Sequence, residues 1–490
     1  MKSVFTARQM RSADAYCENK LNIPSLTLMS KAALALTKVC TKAVPAPGPI
    51  LFLCGKGNNA GDGFAAARIM KEMGYTVTVA LLCGRDFSPD AAVMFRMIPA
   101  SVVLETEEEV LACVPTAALV VDCVYGTGFR GDLAENIKTV FRAVQSKKII
   151  ACDIPSGVSC DDGKVSDGAL CAWKTVTFAA YKPCFFLYPG KEFCGTVLPT
   201  DIGIPPEALE KQHPGVDLPD KEYIRSLLRP RSENSHKGTF GTLLSVCGSK
   251  EMTGAAALSA MGALRCGVGL LKMALPSPVI PVLQAKLSEP VFSERKGEIK
   301  ANAVLCGCGL GADKKALKFA LDQKKPIVLD ADAINLIAED PQLLNNFLEE
   351  NPNTEVILTP HPAELARLMR TSVARIESDR LGAVRKCLSR WNITLVLKGH
   401  HTIVASANRT FMNLTGNTGL AKGGSGDVLA GMIASFLAQG YPAQDAAVCG
   451  VYLHGAAADF LKETFSEHGM LPSDLPLAVA RILKEYETIA

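Results

Sequence analysis

The sequence predicts an α/β protein of two domains, and three observations predict it. At 490 residues the chain exceeds what one ordinary hydrophobic core organises. In both halves, short apolar, β-branched runs alternate with longer stretches of helical period, the pattern of parallel sheets covered by helices. Between the halves, residues 204–221 are Pro-rich and charged (Pro205, Pro206, Pro214, Pro219) and have no apolar period, which marks a linker. Hydrophobic residues at 48% and charged residues at 21% are ordinary globular usage and exclude a disordered, collagenous or coiled-coil chain.

The first domain, residues 1–212, is expected to form a doubly wound parallel sheet with strands at 50–54, 76–82, 118–123, 148–153 and 175–179. A helix is expected over 64–73, behind the glycine-rich turn that follows the first strand. The second domain, residues 220–490, restarts with strands at 241–247, 304–306, 326–330, 356–359 and 394–398. It ends in Ala-rich helices over 427–438 and 443–461, Ala being the strongest helix former. The halves share no repeat and are different domains.

Charge narrows the partners. The 52 Lys and Arg against 49 Asp and Glu leave +3, with no long run of one sign, so a nucleic-acid partner is not expected. No apolar segment approaches the roughly 18 to 20 residues needed to span a bilayer, so no membrane partner is expected. The first twenty residues mix Lys2, Arg8, Arg11 and Asp14 without an apolar stretch, so a secretory leader is not visible and a cytoplasmic location is expected. The 17 cysteines are odd in number and scattered along strand-like runs, which reads as small buried hydrophobes. Cys306 and Cys308 form a close pair with no second pair or His at zinc spacing, so no structural metal is expected.

Two constellations carry chemistry. After the first strand comes Gly55-Lys56-Gly57-Asn58-Asn59-Ala60-Gly61-Asp62-Gly63, where glycines let main chain approach a ligand and a helix start offers free N–H groups to an anion. The run also fits the loose dinucleotide pattern G-x-G-x-x-G/A, but the next strand lacks the acid that would hold a ribose. Two later strands end in Asp122 and Asp153, and in a parallel sheet all strand carboxyl ends share one edge, so both acids are expected to meet the glycine loop. A carboxylate, amide oxygens and a hydroxyl there suit a hard cation rather than zinc. In the second half, residues 416–427 (Gly-Asn-Thr-Gly-Leu-Ala-Lys-Gly-Gly-Ser-Gly-Asp) lead into a helix. Their glycines can wrap N–H groups around a phosphate, with Asp427 beside that anion hole as a base or as a plain helix cap. No Gly-x-x-x-x-Gly-Lys-Ser/Thr run occurs, so nucleotide does not bind in the Walker manner.

At these residues a resemblance becomes specific. Gly57 to Gly63, Asp122 to Gly128 and Asp153-Ile154-Pro155-Ser156-Gly157 resemble the amino-terminal epimerase domain of the bifunctional NAD(P)H-hydrate repair enzymes, over residues 1–210. Residues 225–490 are similar to their dehydratase domain, through residues 236–241, Thr253-Gly254-Ala255, Gly307-Cys308-Gly309-Leu310-Gly311, Leu329-Asp330-Ala331-Asp332, residues 358–364, Lys398-Gly399 and residues 424–431. The resemblance implies a Rossmann-like doubly wound sheet followed by a ribokinase-like α/β domain. It implies an isomerase that interconverts the R and S forms of hydrated NADH and NADPH (NADHX and NADPHX), and a lyase that dehydrates the S form at the expense of ADP or ATP with Mg2+. A single fused chain looks bacterial, which favours ADP.

Carried over by position, the resemblance implies potassium (K+) on Asn59, Asp122 and Ser156 and acid/base work at Asp153. Hydrate contacts of the epimerase fall on Asn58, Asn59, Ala60, Gly61 and Asp62, on Gly126, Thr127, Gly128, Phe129, Arg130, Gly131 and Asp132, and on Asp153. Those of the dehydratase fall on Ala255, Gly309, His361 and Asp427, and nucleotide contacts on Lys398, Gly399, His400, His401, Thr402 and Gly426, with Asp427 as catalytic base. Ala60 stands where the family usually has Gly, so its methyl crowds the loop if that position needs positive φ. A homo-oligomer is expected. The alternative is a ribokinase-type kinase of a small vitamin precursor with an amino-terminal ligand-binding domain.

Overall fold

The computed structural model describes residues 1–213 and 215–487. The chain divides into two compact units, residues 2–216 and the remainder from Asp217 onward with Met1.

In the first unit, β1 (Pro49–Cys54), β2 (Thr76–Leu81), β3 (Val103–Leu104), β4 (Leu119–Cys123), β5 (Ile149–Cys152), β6 (Lys174–Phe178) and β7 (Thr196–Thr200) form a parallel sheet in the order β3-β2-β1-β4-β5-β6-β7. The strand order reverses between β1 and β4, so the loops leaving these two strands flank the crevice where doubly wound sheets take ligands. Helices α1 (Ala7–Leu21), α2 (Ser25–Ala43) and α3 (Asn58–Glu72) cover one face. Ile50, Phe52 and Cys54 of β1 enter the core beneath α2 and α3, while Leu51 and Leu53 enter the core on the opposite face. Burial on both faces explains why β1 reads as an unbroken apolar run. Strand β7 escaped the sequence reading because it is a polar edge strand carrying Pro199.

Helix α3 begins at Asn58, not at residue 64 as expected from the sequence. Gly57 is its extended amino-terminal flank, and Gly61 and Gly63 lie inside the helix rather than in a loop. Their role is close approach: a Cβ on Gly63 would sit 2.7 Å from Sγ of Cys123, and one on Gly61 2.6 Å from Cε of Met29. Ala60 is buried within α3, where right-handed helical backbone accommodates its methyl, so the positive-φ objection to it does not apply.

In the second unit, β8 (Thr242–Val246), β9 (Leu270–Leu275), β10 (Val291–Glu294), β11 (Ala303–Cys306), β12 (Ile327–Leu329), β13 (Val356–Leu358), β14 (Thr394–Leu397), β15 (Ile403–Ala405) and β16 (Thr410–Met412) run β16-β15-β14-β13-β12-β11-β8-β9-β10. Pairing is parallel from β14 to β10 and antiparallel through β14-β15-β16. Helices α4 (Thr253–Arg265), α5 (Pro362–Leu368), α6 (Ser425–Ala438) and α7 (Ala443–Lys462) position the site. Helix α6 is apolar nearly all round and lies in the core. It crosses α4 at backbone distance, for a Cβ on Gly431 would fall 1.9 Å from the Ser259 carbonyl oxygen and one on Gly262 2.4 Å from that of Val428.

Candidate functional sites

In the first unit the crevice is built from four strand ends. Asp122, in β4, is completely buried. Its Oδ1 accepts from Ser156 Oγ at 2.6 Å and Val124 N at 3.2 Å, and its Oδ2 from Ser156 N at 2.7 Å. Burial pushes its carboxyl up to about 6 against those hydrogen bonds. Asn59, on the first turn of α3, donates Nδ2 to the Tyr125 carbonyl at 3.0 Å, and Tyr125 N donates to Ser156 Oγ at 2.8 Å. Asn59, Asp122 and Ser156 are therefore joined through Tyr125, which the sequence reading assigned no role.

Asp153 follows β5 with φ of 66°, a left-handed conformation that a non-glycine residue holds only when its surroundings fix it. Lys182, 1% exposed, donates to Asp153 Oδ1 at 2.6 Å. Asp62, nearly buried on α3, has its carboxyl pushed well up by burial and by the charges of Asp153 and Asp14. Lys182-Pro183 resembles the family's sequence, but the sequence reading gave the lysine no role.

The remaining predicted contacts spread more widely. Asn58 accepts from Ser88 Oγ at 2.6 Å. Gly126, Thr127, Gly128, Gly131 and Asp132 lie on the loop after β4; Phe129 on that loop is buried with its ring 5.3 Å from that of Tyr125. Arg130 is half in solvent and pairs with Asp161 at 3.0 Å.

In the second unit, Asp427 is the third residue of α6, not its cap; Gly424, at φ of 98°, is the flanking residue that turns the chain into the helix. Ser425 N donates to the Lys422 carbonyl at 3.2 Å, so Gly426 and Asp427 offer the N–H end of this apolar helix. The Asp427 carboxyl is pushed up to about 6, first by burial and then by Asp330. Asp330, 1% exposed, accepts on Oδ1 from Lys398 Nζ at 2.7 Å and from Thr359 Oγ1 at 2.6 Å. Lys398 is also 3.9 Å from Glu364, and a Cβ on Gly426 would lie 3.3 Å from its Nζ. Burial works against the Lys398 charge, but Asp330 and Glu364 outweigh it and hold the ammonium above its usual range.

His361 flanks α5, its Nδ1 accepting from Ala363 N and Glu364 N at 3.1 and 3.3 Å, with Nε2 3.1 Å from Glu364 Oε1. Ala255 and Gly309 touch: a Cβ on Gly309, at φ of 62°, would fall 2.7 Å from that of Ala255. Lys398 to Thr402 form the turn between β14 and β15, held from below by Arg380, whose guanidinium donates to the carbonyls of Leu397, Lys398 and His400. Cys308 Sγ and carboxylate oxygens of Asp330 and Asp427 lie within 4.8 Å of one another, a grouping that chain spacing did not reveal.

Fold and site together define a fused two-centre enzyme, with one acidic centre at the switch point of a doubly wound sheet and another at the start of a buried helix. Residues 243–481 match the family described as NAD(P)H-hydrate dehydratase, and residues 25–184 the family described as YjeF-related protein N-terminus. The bifunctional NAD(P)H-hydrate repair enzyme of Moorella thermoacetica is 34% identical over 525 residues, covering 99% of this chain and 98% of that protein. The ADP-dependent (S)-NAD(P)H-hydrate dehydratase of Neisseria meningitidis is 44% identical over 249 residues, 49% of this chain and 83% of that protein. The solved ADP/ATP-dependent NAD(P)H-hydrate dehydratase from Bacillus subtilis, co-crystallised with ATP/Mg2+, superposes with a TM-score of 0.50 at 30% identity, covering 56% of this chain and 99% of that one. The chain belongs to the family of bifunctional NAD(P)H-hydrate repair enzymes. Its second unit is a ribokinase-like α/β domain, and the vitamin-precursor kinase reading gives way to that membership.

Proposed function

We infer that the chain repairs hydrated NADH and NADPH, its first domain (1–212) interconverting R and S forms and its second (220–490) dehydrating the S form with a nucleotide and Mg2+. Family membership over the whole chain carries this reading, since each activity of that family has a unit here with its own strand-end or helix-start acid beside bare main chain. Hydroxide leaves poorly at neutral pH, so water loss needs the oxygen made into a better leaving group, which phosphorylation supplies. Asp427 takes the hydroxyl proton as that oxygen attacks the terminal phosphate of ADP and the phosphoanhydride bond breaks with AMP as leaving group; phosphate then departs from the ring carbon as a proton is lost from the neighbouring carbon, which forms the ring double bond. The N–H groups at the start of α6 and the Lys398 ammonium receive the phosphate's charge.

ADP is the proposed phosphoryl donor, contacted by Lys398, Gly399, His400, His401, Thr402 and Gly426, while Ala255, Gly309 and His361 line the hydrate. The carboxylates suit Mg2+, because Asp330 commits Oδ1 to Lys398 and Thr359, and its Oδ2, which accepts only a weak thiol contact from Cys308 Sγ at 3.7 Å, lies near the Asp427 carboxylate. Mg2+ supplies neutralisation of the developing phosphate charge when bound.

In the first unit, Asp153 is the acid/base group that faces the hydrated ring, and the loops around Asn58 to Asp62 and Gly126 to Asp132 hold the hydrate. Asn59, Asp122 and Ser156 fit K+: all donors are oxygen, and Asp122 is buried with hydrogen bonds from Ser156 and Val124 but no cationic partner among those bonds. The proposal extends to a cytoplasmic homo-oligomer, checked by its mass in solution; no helix of the described residues is long and apolar enough to cross a membrane. The test of the whole reading is racemic hydrated NADH with ADP and Mg2+. Full recovery of NADH absorbance is expected, and an unchanged hydrate pool overturns it.

A further inference from the structure

Asp153 has two carboxylate oxygens in unlike surroundings. Oδ1 accepts from Lys182 Nζ at 2.6 Å and from Thr177 Oγ1 at 3.1 Å. The same ammonium donates to Thr177 Oγ1 at 2.7 Å and to the Phe178 carbonyl at 2.9 Å, so each of its three protons has an acceptor and its direction is fixed. Oδ2 takes no part in this set. It faces the loop after β4, where a Cβ on Gly126 would lie 3.3 Å from it and 3.2 Å from Asn59 Oδ1. Gly126 therefore leaves open the approach to Oδ2, and the left-handed backbone of Asp153 is the conformation that aims it there.

We propose that Lys182 is the positioning residue of the epimerase centre: it locks Oδ1 of Asp153 and so presents Oδ2 to the hydrated ring. The proposal rests on Asp153 as the acid/base group. Charge makes the lysine necessary. Asp62 from α3, Asp14 from α1, Cys152 from β5 and Cys160 from the loop beyond it also act on this carboxylate or its lysine, and among these groups Lys182 is the one cation. Without Lys182 the Asp153 carboxylate loses its cationic hydrogen-bond partner, and Oδ1 is left buried against Thr177 and Phe178 N alone. A fully buried ammonium is itself costly unless every donor is satisfied, which Thr177 and Phe178 achieve.

The experiment uses the full chain and follows R-to-S conversion. In Lys182→Met, kcat is expected to fall by about 10- to 100-fold with KM within about twofold, as for a misplaced reacting group. The acid limb of its pH profile is expected to move up by about one unit or more, which loss of packing alone does not produce. Thr177→Val, which removes the hydroxyl shared by both partners, is expected to shift the profile the same way by less. A folded Lys182→Met with unchanged kcat and pH profile overturns the proposal; should that variant fail to fold, an unchanged profile in Thr177→Val overturns it. Asp153→Asn separates the two claims, because epimerisation that survives in it removes the acid/base reading itself, whatever Lys182 does.

Discussion

Asp427 shows how one residue's position decides its chemistry. As the third residue of α6 it makes no cap, and burial next to Asp330 pushes its carboxyl up to about 6. A base works ionised, so dehydration is expected to fall as pH drops through about 6, seen as an acid limb in kcat for S-hydrate turnover. Asp427→Asn is expected to lower dehydration by about a hundredfold or more while leaving R/S interconversion intact, each followed by separating the two epimers. The motif around Asp427 was legible because a glycine run before a helix has few other uses. Its neighbours Asp330, Cys308 and Lys398 come from strand ends and loops far apart in sequence, and no local pattern joins them to it.

Elements meet here through glycine. On α3 and on the α4–α6 crossing, glycines serve close approach within right-handed helices, whereas the sequence reading took those of residues 55–63 for a ligand loop. Gly431→Ala is expected to cost about 1 to 3 kcal/mol or more, since its methyl would meet the Ser259 carbonyl oxygen at 1.9 Å, backbone that has little room to yield. Thermal unfolding of the full chain checks this as a lowered transition with the epimerase rate preserved. Gly63→Ala is expected to act on the first unit in the same way but less, because the atom in its path is a cysteine side chain, Cys123 Sγ at 2.7 Å. Strands buried on both faces, such as β1 and β4, were read from the sequence, whereas the polar edge strand β7 and the two-residue β3 carry little apolar signal; the apolar β9 and β15 were missed as well, because short apolar runs are shared by strands and buried helices.

For the whole molecule, two chemistries in one chain have a chemical rationale: a stereospecific dehydratase clears a racemic pool if something interconverts the epimers. Asp153→Asn in the full chain is expected to consume the S form and leave the R form, with recovery of NADH stalling until an active epimerase is added; continued consumption of the R form would overturn the assignment of Asp153. The sequence by itself determined that the chain folds as two α/β units, and it pointed to the glycine-rich turns and strand-end acids as the candidate chemistry, because burial pattern, turn chemistry and motif spacing are local properties of the chain. Only the tertiary structure decided that α3 starts at Asn58, that Asp427 lies inside its helix, and that Lys182 and Lys398 neutralise Asp153 and Asp330. Those facts depend on which distant residues burial forces together, and desolvated charge finds its partner in space rather than along the chain.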